Sequence, residues 1–234
     1  MNNPGIMYSD IINEYTLNIF TDASIRNRNY GYDGCYGAIA VYNDTIIDEL
    51  YRINTNTTNN NAEIKGLRAG VFLALKYQNQ FKVINIFSDS QISIFGIRDR
   101  LITWTISPDG KLIGKSGQEI QSQDIFLEIM YLMIQHNLRV NFIHQKGHVN
   151  IRKIDSLFEA QHVFRASNCI RGNVDLNLIR YISRWNGIVD DTSRSYLNNY
   201  KGMKVEDAVQ FYPSKFDKNK FKKLSENTIK KGVL

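Results

Sequence analysis

Thr57-Thr58-Asn59-Asn60-Asn61-Ala62-Glu63 reads as the opening of a helix. Thr57 or Thr58 suits the N-cap, where a side-chain oxygen accepts from an otherwise unpaired backbone N–H. The helix then runs to about Tyr77, with Ile64, Leu67, Val71 and Leu75 as one apolar stripe. A second stripe of Glu63, Leu67, Gly70 and Ala74 is rich in small residues, which predicts close approach of this helix to a sheet. One acid, Glu63, therefore stands at the start of a packed face. Working outward, Tyr15–Asp22 alternates as a strand and ends on Asp22, and Lys82–Asp89 is an apolar strand that ends on Asp89.

Around this frame, Ser24–Gly34 is polar and reads as a loop, Cys35–Tyr42 as a second strand, Asn43-Asp44 as a tight turn and Thr45–Ile53 as a third strand. The first three strands form an antiparallel meander, and the apolar fourth is central and parallel to the first. Gln91 to about Trp104 is helical, Lys111–Gly117 is a loop, Gln123–His136 is a helix and Arg139–His144 is a fifth strand. After Gly147-His148 the regular pattern lapses. Val149–Trp185 holds short amphipathic pieces around 156–165 and 176–185, and the last core helix is expected over Gly187–Asn199. The expected organisation is one domain over 1–200, a basic insertion at 149–185 and a Lys-rich extension at 201–234.

With 43% hydrophobic and 22% charged residues, the 234-residue chain can bury a real core. It has no run of eighteen apolar residues, and its first ten residues lack a secretory pattern. Its two cysteines, Cys35 and Cys169, lie far apart, so a reduced, cytoplasmic location without a membrane partner is expected. The net charge is +6, and residues 201–234 carry nine lysines against four acids, so the excess sits in the extension. Such a tail is either a solvated terminus or a sequence-independent grip on phosphates.

Alone, a strand-end Asp is a turn former and a helix-start Glu is a dipole partner. Together, Asp22 and Asp89 project at one edge if their strands are adjacent and parallel, where ligands of open α/β sheets gather. Glu63 can reach the same place. Three carboxylates sharing a small volume raise one another's pKa unless a cation joins them. An all-oxygen donor set favours a hard ion such as Mg2+ or Mn2+.

The motifs Ile-Phe-Thr-Asp22-Ala-Ser, Thr-Thr-Asn-Asn-Asn-Ala-Glu63, Ile-Phe-Ser-Asp89-Ser-Gln and Gln145-Lys-Gly-His148 resemble, in order, those of the ribonuclease H type 1 family. Asn186-Gly-Ile-Val-Asp190-Asp-Thr-Ser-Arg194 fits the family's last helix, and the resemblance spans about Tyr15 to Leu197. It implies an α/β fold with a five-stranded mixed sheet in the order 3-2-1-4-5, flanked by helices. The implied activity is endonucleolytic hydrolysis of the RNA strand of RNA–DNA hybrids with two divalent ions, Mg2+ or Mn2+. Asp22, Glu63, Asp89 and Asp190 resemble the metal-binding carboxylates, and His148 the mobile His that assists proton transfer or product release. Asn59, Asn60 and Gln91, with Thr58 beside them, resemble residues that contact the hybrid.

The chain departs from the family at three places. Ala23 stands where Gly usually follows the first Asp, Asn61 replaces an Arg, and Val149–Trp185 replaces a short loop. The long segment leaves Asp191 and Asp175 as alternatives to Asp190, which Asn186 and Arg194 frame best. Other enzymes of the fold, resolvase- or transposase-like, and a non-catalytic hybrid-binding module are the competing readings. The stretch ending in Glu63 argues against the first, and the complete carboxylate set against the second. Arg98, Arg100, Lys111 and Lys115, grouped around Trp104, are candidates for a basic handle on the DNA strand, and the basic insertion is a second candidate. Reversing charge at Arg152, Lys153 and Arg171 together is expected to weaken hybrid binding and flatten its dependence on salt. Binding titrations at several salt concentrations measure both.

Overall fold

The structure, a computed structural model, describes residues 8–28 and 31–200. The Lys-rich extension lies outside the described residues. A short helix α1 (Tyr8–Ile11) leads into three antiparallel strands, β1 (Thr16–Arg28), β2 (Gly31–Tyr42) and β3 (Thr45–Thr55). Asn43 and Asp44 both take left-handed backbone at φ 46° and 61°, which matches the right-handed twist of the strands they join. The segment expected as a loop over Ser24–Gly34 is instead a ribbon. The β1–β2 ladder runs without a break from Asn18↔Val41 to Arg28↔Gly31. Backbone hydrogen bonds carry this ribbon, so its polar side chains leave no apolar alternation to detect.

Helix α2 (Asn59–Tyr77) follows, then β4 (Val83–Ser88), parallel to β1 with Thr16 opposite Val83 and Phe20 opposite Phe87. Helix α3 (Gln91–Phe95) passes into a π-helical turn (Gly96–Arg100) and a 3-10 turn (Leu101–Thr103), not one α-helix to Trp104 as expected. A small hairpin, β5 (Thr105–Ile106) and β6 (Leu112–Ile113), leads to α4 (Gln123–Gln135). Strand β7 (Asn141–His144) pairs parallel to β4. The sheet order β3-β2-β1-β4-β7 is the expected mixed order, with β7 as its fifth strand.

The carboxyl-terminal part differs from expectation. It forms α5 (Ile154–Ser167) and one long helix, α6 (Leu176–Asn199). The segment 176–185 is thus the first half of the last helix. Asn186-Gly187 does not interrupt it, because Leu178, Ile179, Ile182, Trp185, Val189 and Leu197 form one continuous buried stripe. Its start is Asp175, whose side chain accepts from the Asn177 N–H at 2.8 Å. Helix α5 covers the amphipathic piece expected around 156–165 and buries Leu157, Ala160 and Phe164.

Two cores flank the sheet. Leu17, Ile19 and Ile86 pack with α2 and α4 on one face, and Phe20, Phe87 and Ile143 pack with α5 and α6 on the other. The close approach predicted for α2 is present, for a Cβ on Gly70 would lie 2.7 Å from Thr21 Cγ2. Among the described residues, no helix is long and apolar enough to cross a membrane.

A row of buried amides crosses the centre of the sheet. Asn85 Nδ2 donates to Asn18 Oδ1 and Asn141 Nδ2 donates to Asn85 Oδ1, both at 2.9 Å, while Asn18 Nδ2 reaches the Ile11 carbonyl. At the rim, the Asn168 side chain pairs with both backbone groups of His144. It accepts from the N–H at 3.1 Å and donates to the carbonyl at 2.8 Å. Arg98 also donates to Asn168 and to the Ser167 and Phe142 carbonyls, and it forms an ion pair with Asp99. Asn85→Ala removes the donor that serves the buried Asn18 oxygen and the acceptor that serves the Asn141 amide. It is expected to lower stability by about 2–5 kcal/mol in urea titrations.

Candidate functional site

The site lies at the carboxyl edge of the central strands. Because Phe20 faces Phe87 across the parallel β1–β4 pair, Asp22 and Asp89, each two residues on, emerge at the same level. Thr58 caps α2, its hydroxyl accepting from the Asn61 N–H at 3.2 Å, and this sets Glu63 in the second turn, over the same edge. Ligating oxygens of Asp22, Glu63 and Asp89 all lie within 4.8 Å of one another.

The electrostatics of this cluster are unfavourable by themselves. Burial, then Asp89 and Glu63, push the Asp22 carboxyl well above the usual range. Burial, then Asp89 and Asp190, push Glu63 up to about 8. Burial also raises Asp89, against the lowering effect of a hydrogen bond from Asn186. Glu63 Oε2 is buried and has no hydrogen-bond partner among the described residues. That orphaned oxygen, the all-carboxylate donor set and the mutual repulsion fit a hard divalent cation.

Asp190 stands apart from the triad. Arg194 holds it at 2.7 and 3.0 Å, and His148 Nδ1 lies 3.9 Å away. Its charge is nevertheless felt at Asp22, Glu63 and Asp89. Its side chain is 15% exposed, whereas that of Asp191, one residue on, is 80% exposed. Asp175 caps the far end of α6, about 22 Å along the helix at 1.5 Å per residue. Of the two residues in the family's frame, Asp190 is the one turned toward the site.

His148 sits on an open loop in left-handed backbone (φ 53°) with its side chain 83% exposed. Asn59, Asn60 and Gln91 are exposed at the starts of α2 and α3. Asn61 is occupied otherwise: it accepts from the Thr57 hydroxyl at 3.1 Å and donates to Ser122 Oγ at 2.9 Å. In the expected basic handle, Arg98 is buried in the Asn168 network and cannot reach a phosphate from there. Trp104 packs edge-on against Phe126, as a handle's internal support would, and Lys111 pairs with Glu119.

Three residues to which the motif reading gave no role close on Asp89, one of them through Asn186. A Cβ on Gly147 would lie 2.1 Å from Asp89 Oδ2, so only glycine leaves the carboxylate its place. His144 Nε2 lies 3.1 Å from the Asp89 carbonyl, which can only accept. The imidazole therefore carries its proton on Nε2 and accepts from Ser167 Oγ at Nδ1, 2.8 Å away. The Gln145 side chain donates to Asn186, which donates to Asp89.

Raised carboxyl pKa values bear on stability with a definite sign. In metal-free protein, folded Glu63 binds a proton up to about pH 8, while the unfolded chain releases it near 4.5. Its contribution is fully present below about pH 4.5 and is lost as pH rises through 8. Glu63→Gln in EDTA is therefore expected to be more stable than wild type above pH 8, by roughly 2–4 kcal/mol. The difference should vanish near pH 4, and thermal melts at the two pH values read it.

A model of the RNase H family matches residues 14–161, well over half of the chain. The match ends within α5, so α6 and Asp190 lie beyond it. No curated protein matches the chain. Among solved structures it is similar to a foamy viral protease-reverse transcriptase in complex with RNA/DNA hybrid, at 14% identity and TM-score 0.48 over 66% of this chain and 20% of that one. The chain thus spans a fifth of that protein's length. It is also similar to LC11-RNase H1, isolated from compost, in complex with RNA/DNA hybrid, at 18% identity and TM-score 0.43 over 62% of this chain and 95% of that one. RNase H1 from the archaeon Halobacterium salinarum gives 18% identity and TM-score 0.38 over 56% of this chain and 86% of that one. These likenesses stand beside the family match, which carries the assignment: the chain belongs to the RNase H family of nucleases.

Proposed function

We propose that the chain hydrolyses the RNA strand of RNA–DNA hybrids in a divalent-metal-dependent reaction. The observation that carries this reading is the triad of Asp22, Glu63 and Asp89, gathered within 4.8 Å with a buried oxygen of Glu63 unpartnered. These three, with Asp190, would hold two Mg2+ or Mn2+ ions. Bound there, such ions would supply an activated water and charge stabilisation at the leaving 3′ oxygen.

The chain's own residues supply the rest. Asp22, on the central strand, stands opposite Gly37 in the β1–β2 ladder, which holds its backbone in place for a metal-binding role. Its Oδ1 already accepts from the Ala23 N–H at 2.7 Å, which fixes the carboxylate's direction. Asn59, Asn60 and Gln91 present exposed amides, which both donate and accept and so suit minor-groove base edges and 2′-hydroxyls. Recognition of the 2′-hydroxyl selects RNA. His148, exposed on its loop beside Asp190, has the reach and the chemistry to carry a proton to or from the site. Arg194 pairs with Asp190 and moderates the negative charge there when no cation is bound.

The test is a panel of matched RNA–DNA, RNA–RNA, DNA–DNA and branched DNA substrates with Mg2+. Hybrid cleavage that disappears on EDTA treatment and in Asp89→Asn is expected. Preferential cutting of branched DNA, or binding without cleavage, would overturn the proposal. Gly147→Ala pushes the Asp89 carboxylate aside and is expected to lower the hybrid turnover rate at least tenfold, with the fold retained by circular dichroism.

A further inference from the structure

Asn186 and Gln145 are both buried, at 4% and 1% exposure, and form a short chain ending on Asp89. Gln145 Nε2 donates to Asn186 Oδ1 at 2.5 Å, and Asn186 Nδ2 donates to Asp89 Oδ2 at 3.4 Å. An amide has one donating and one accepting end, whereas a carboxylate only accepts. Asn186 therefore serves Asp89 in one of its two orientations. Turned over, it would aim a carbonyl oxygen at the carboxylate. Its acceptor end is removed from water, so a donor beside it is what makes the useful orientation stable.

Gln145 is well placed to be that donor. Its own N–H donates to the Ser88 carbonyl at 3.1 Å, which anchors it one residue from Asp89. Two residues on, Gly147 lies against the Asp89 carboxylate. We propose that Gln145 is a positioning residue, which holds the Asn186 amide with its donor toward Asp89 and so keeps Asp89 aimed at Asp22 and Glu63. The inference rests on Asp89 being a metal ligand, as the proposed function has it. Gln145 touches neither metal nor substrate in this role and acts only through Asn186.

Calorimetric Mn2+ titration and steady-state hybrid cleavage test it on the full chain. Gln145→Met keeps the bulk and removes the donor. It is expected to weaken Mn2+ binding about tenfold and to lower kcat while KM for hybrid holds, since the hybrid-facing amides lie elsewhere. Gln145→Glu, of the same size, can only accept, which draws the Asn186 donor away from Asp89. Its loss should exceed that of the Met variant, and it carries the same test should the Met variant fail to fold. In an Asn186→Ala background, Gln145→Met should change nothing further. Wild-type Mn2+ affinity in both Gln145 variants would overturn the inference alone. So would an equal loss with and without Asn186, which would mark Gln145 as packing. A wild-type chain that binds no Mn2+ would overturn the metal reading, and this inference with it.

Discussion

The register of the three central parallel strands rests on a line of buried amides. Asn18, Asn85 and Asn141 stand opposite one another on β1, β4 and β7; Asn141 donates to Asn85, and Asn85 to Asn18. Sliding the middle strand by one residue would break both hydrogen bonds of this line in the dry interior and turn every apolar side chain of that strand to the wrong face. Hydrophobic packing alone tolerates small slips better than this line does. Its consequence appears four residues along β1 and β4, where Asp22 and Asp89 come out level. The carboxylate edge is thus positioned by hydrogen bonds deep in the sheet, at some remove from the carboxylates themselves.

What the fold aligns, electrostatics resists. Three carboxylates are drawn into a partly buried space in which burial and mutual repulsion raise their pKa values. Such a site is stable only because the elements that carry it are held elsewhere: β1 by neighbours on both sides, α2 by close approach to Thr21, and the Asp89 turn by His144, Gly147 and Asn186. Under the proposed function this repulsion is put to use, since a divalent cation would relieve it. Asp190 stands apart from the triad and leans on Arg194 instead.

Much of this was legible in the sequence, where local physics and global fold agree. Alternation over Tyr15–Asp22, the Asn43-Asp44 turn and the capped helix from Thr58 all stand as expected. So do the sheet order and the chain's place in the RNase H family. The ribbon beyond Asp22 was not visible, because its ladder needs no apolar pattern. The start of α6 was misplaced because Asn186-Gly187 has turn chemistry, which a long buried stripe overrides. Arg98 looked like a surface cation, since nothing local shows that Asn168, 70 residues away, receives it. The amide line did leave a trace, in Leu17-Asn-Ile-Phe20, Ile84-Asn-Ile-Phe87 and Val140-Asn-Phe-Ile143. An Asn at the same place in three apolar strands is a register mark, and its repetition is what separates it from an isolated polar residue.

The pairing of Asn168 with His144 has a consequence for the life of the protein among copies of itself. Strand β7 is the rim of the sheet, and a rim offers open N–H and carbonyl groups to any extended chain that drifts against it. A single side-chain amide occupies the two backbone positions of His144 that such an intruder would seize. Asn168 itself is tied by its second amide hydrogen to the Phe164 carbonyl and by Arg98 to the body of the domain, so it does not swing away easily. The end of α5 thus also guards the sheet's flank against growth by strand addition, the first step toward fibrous aggregates.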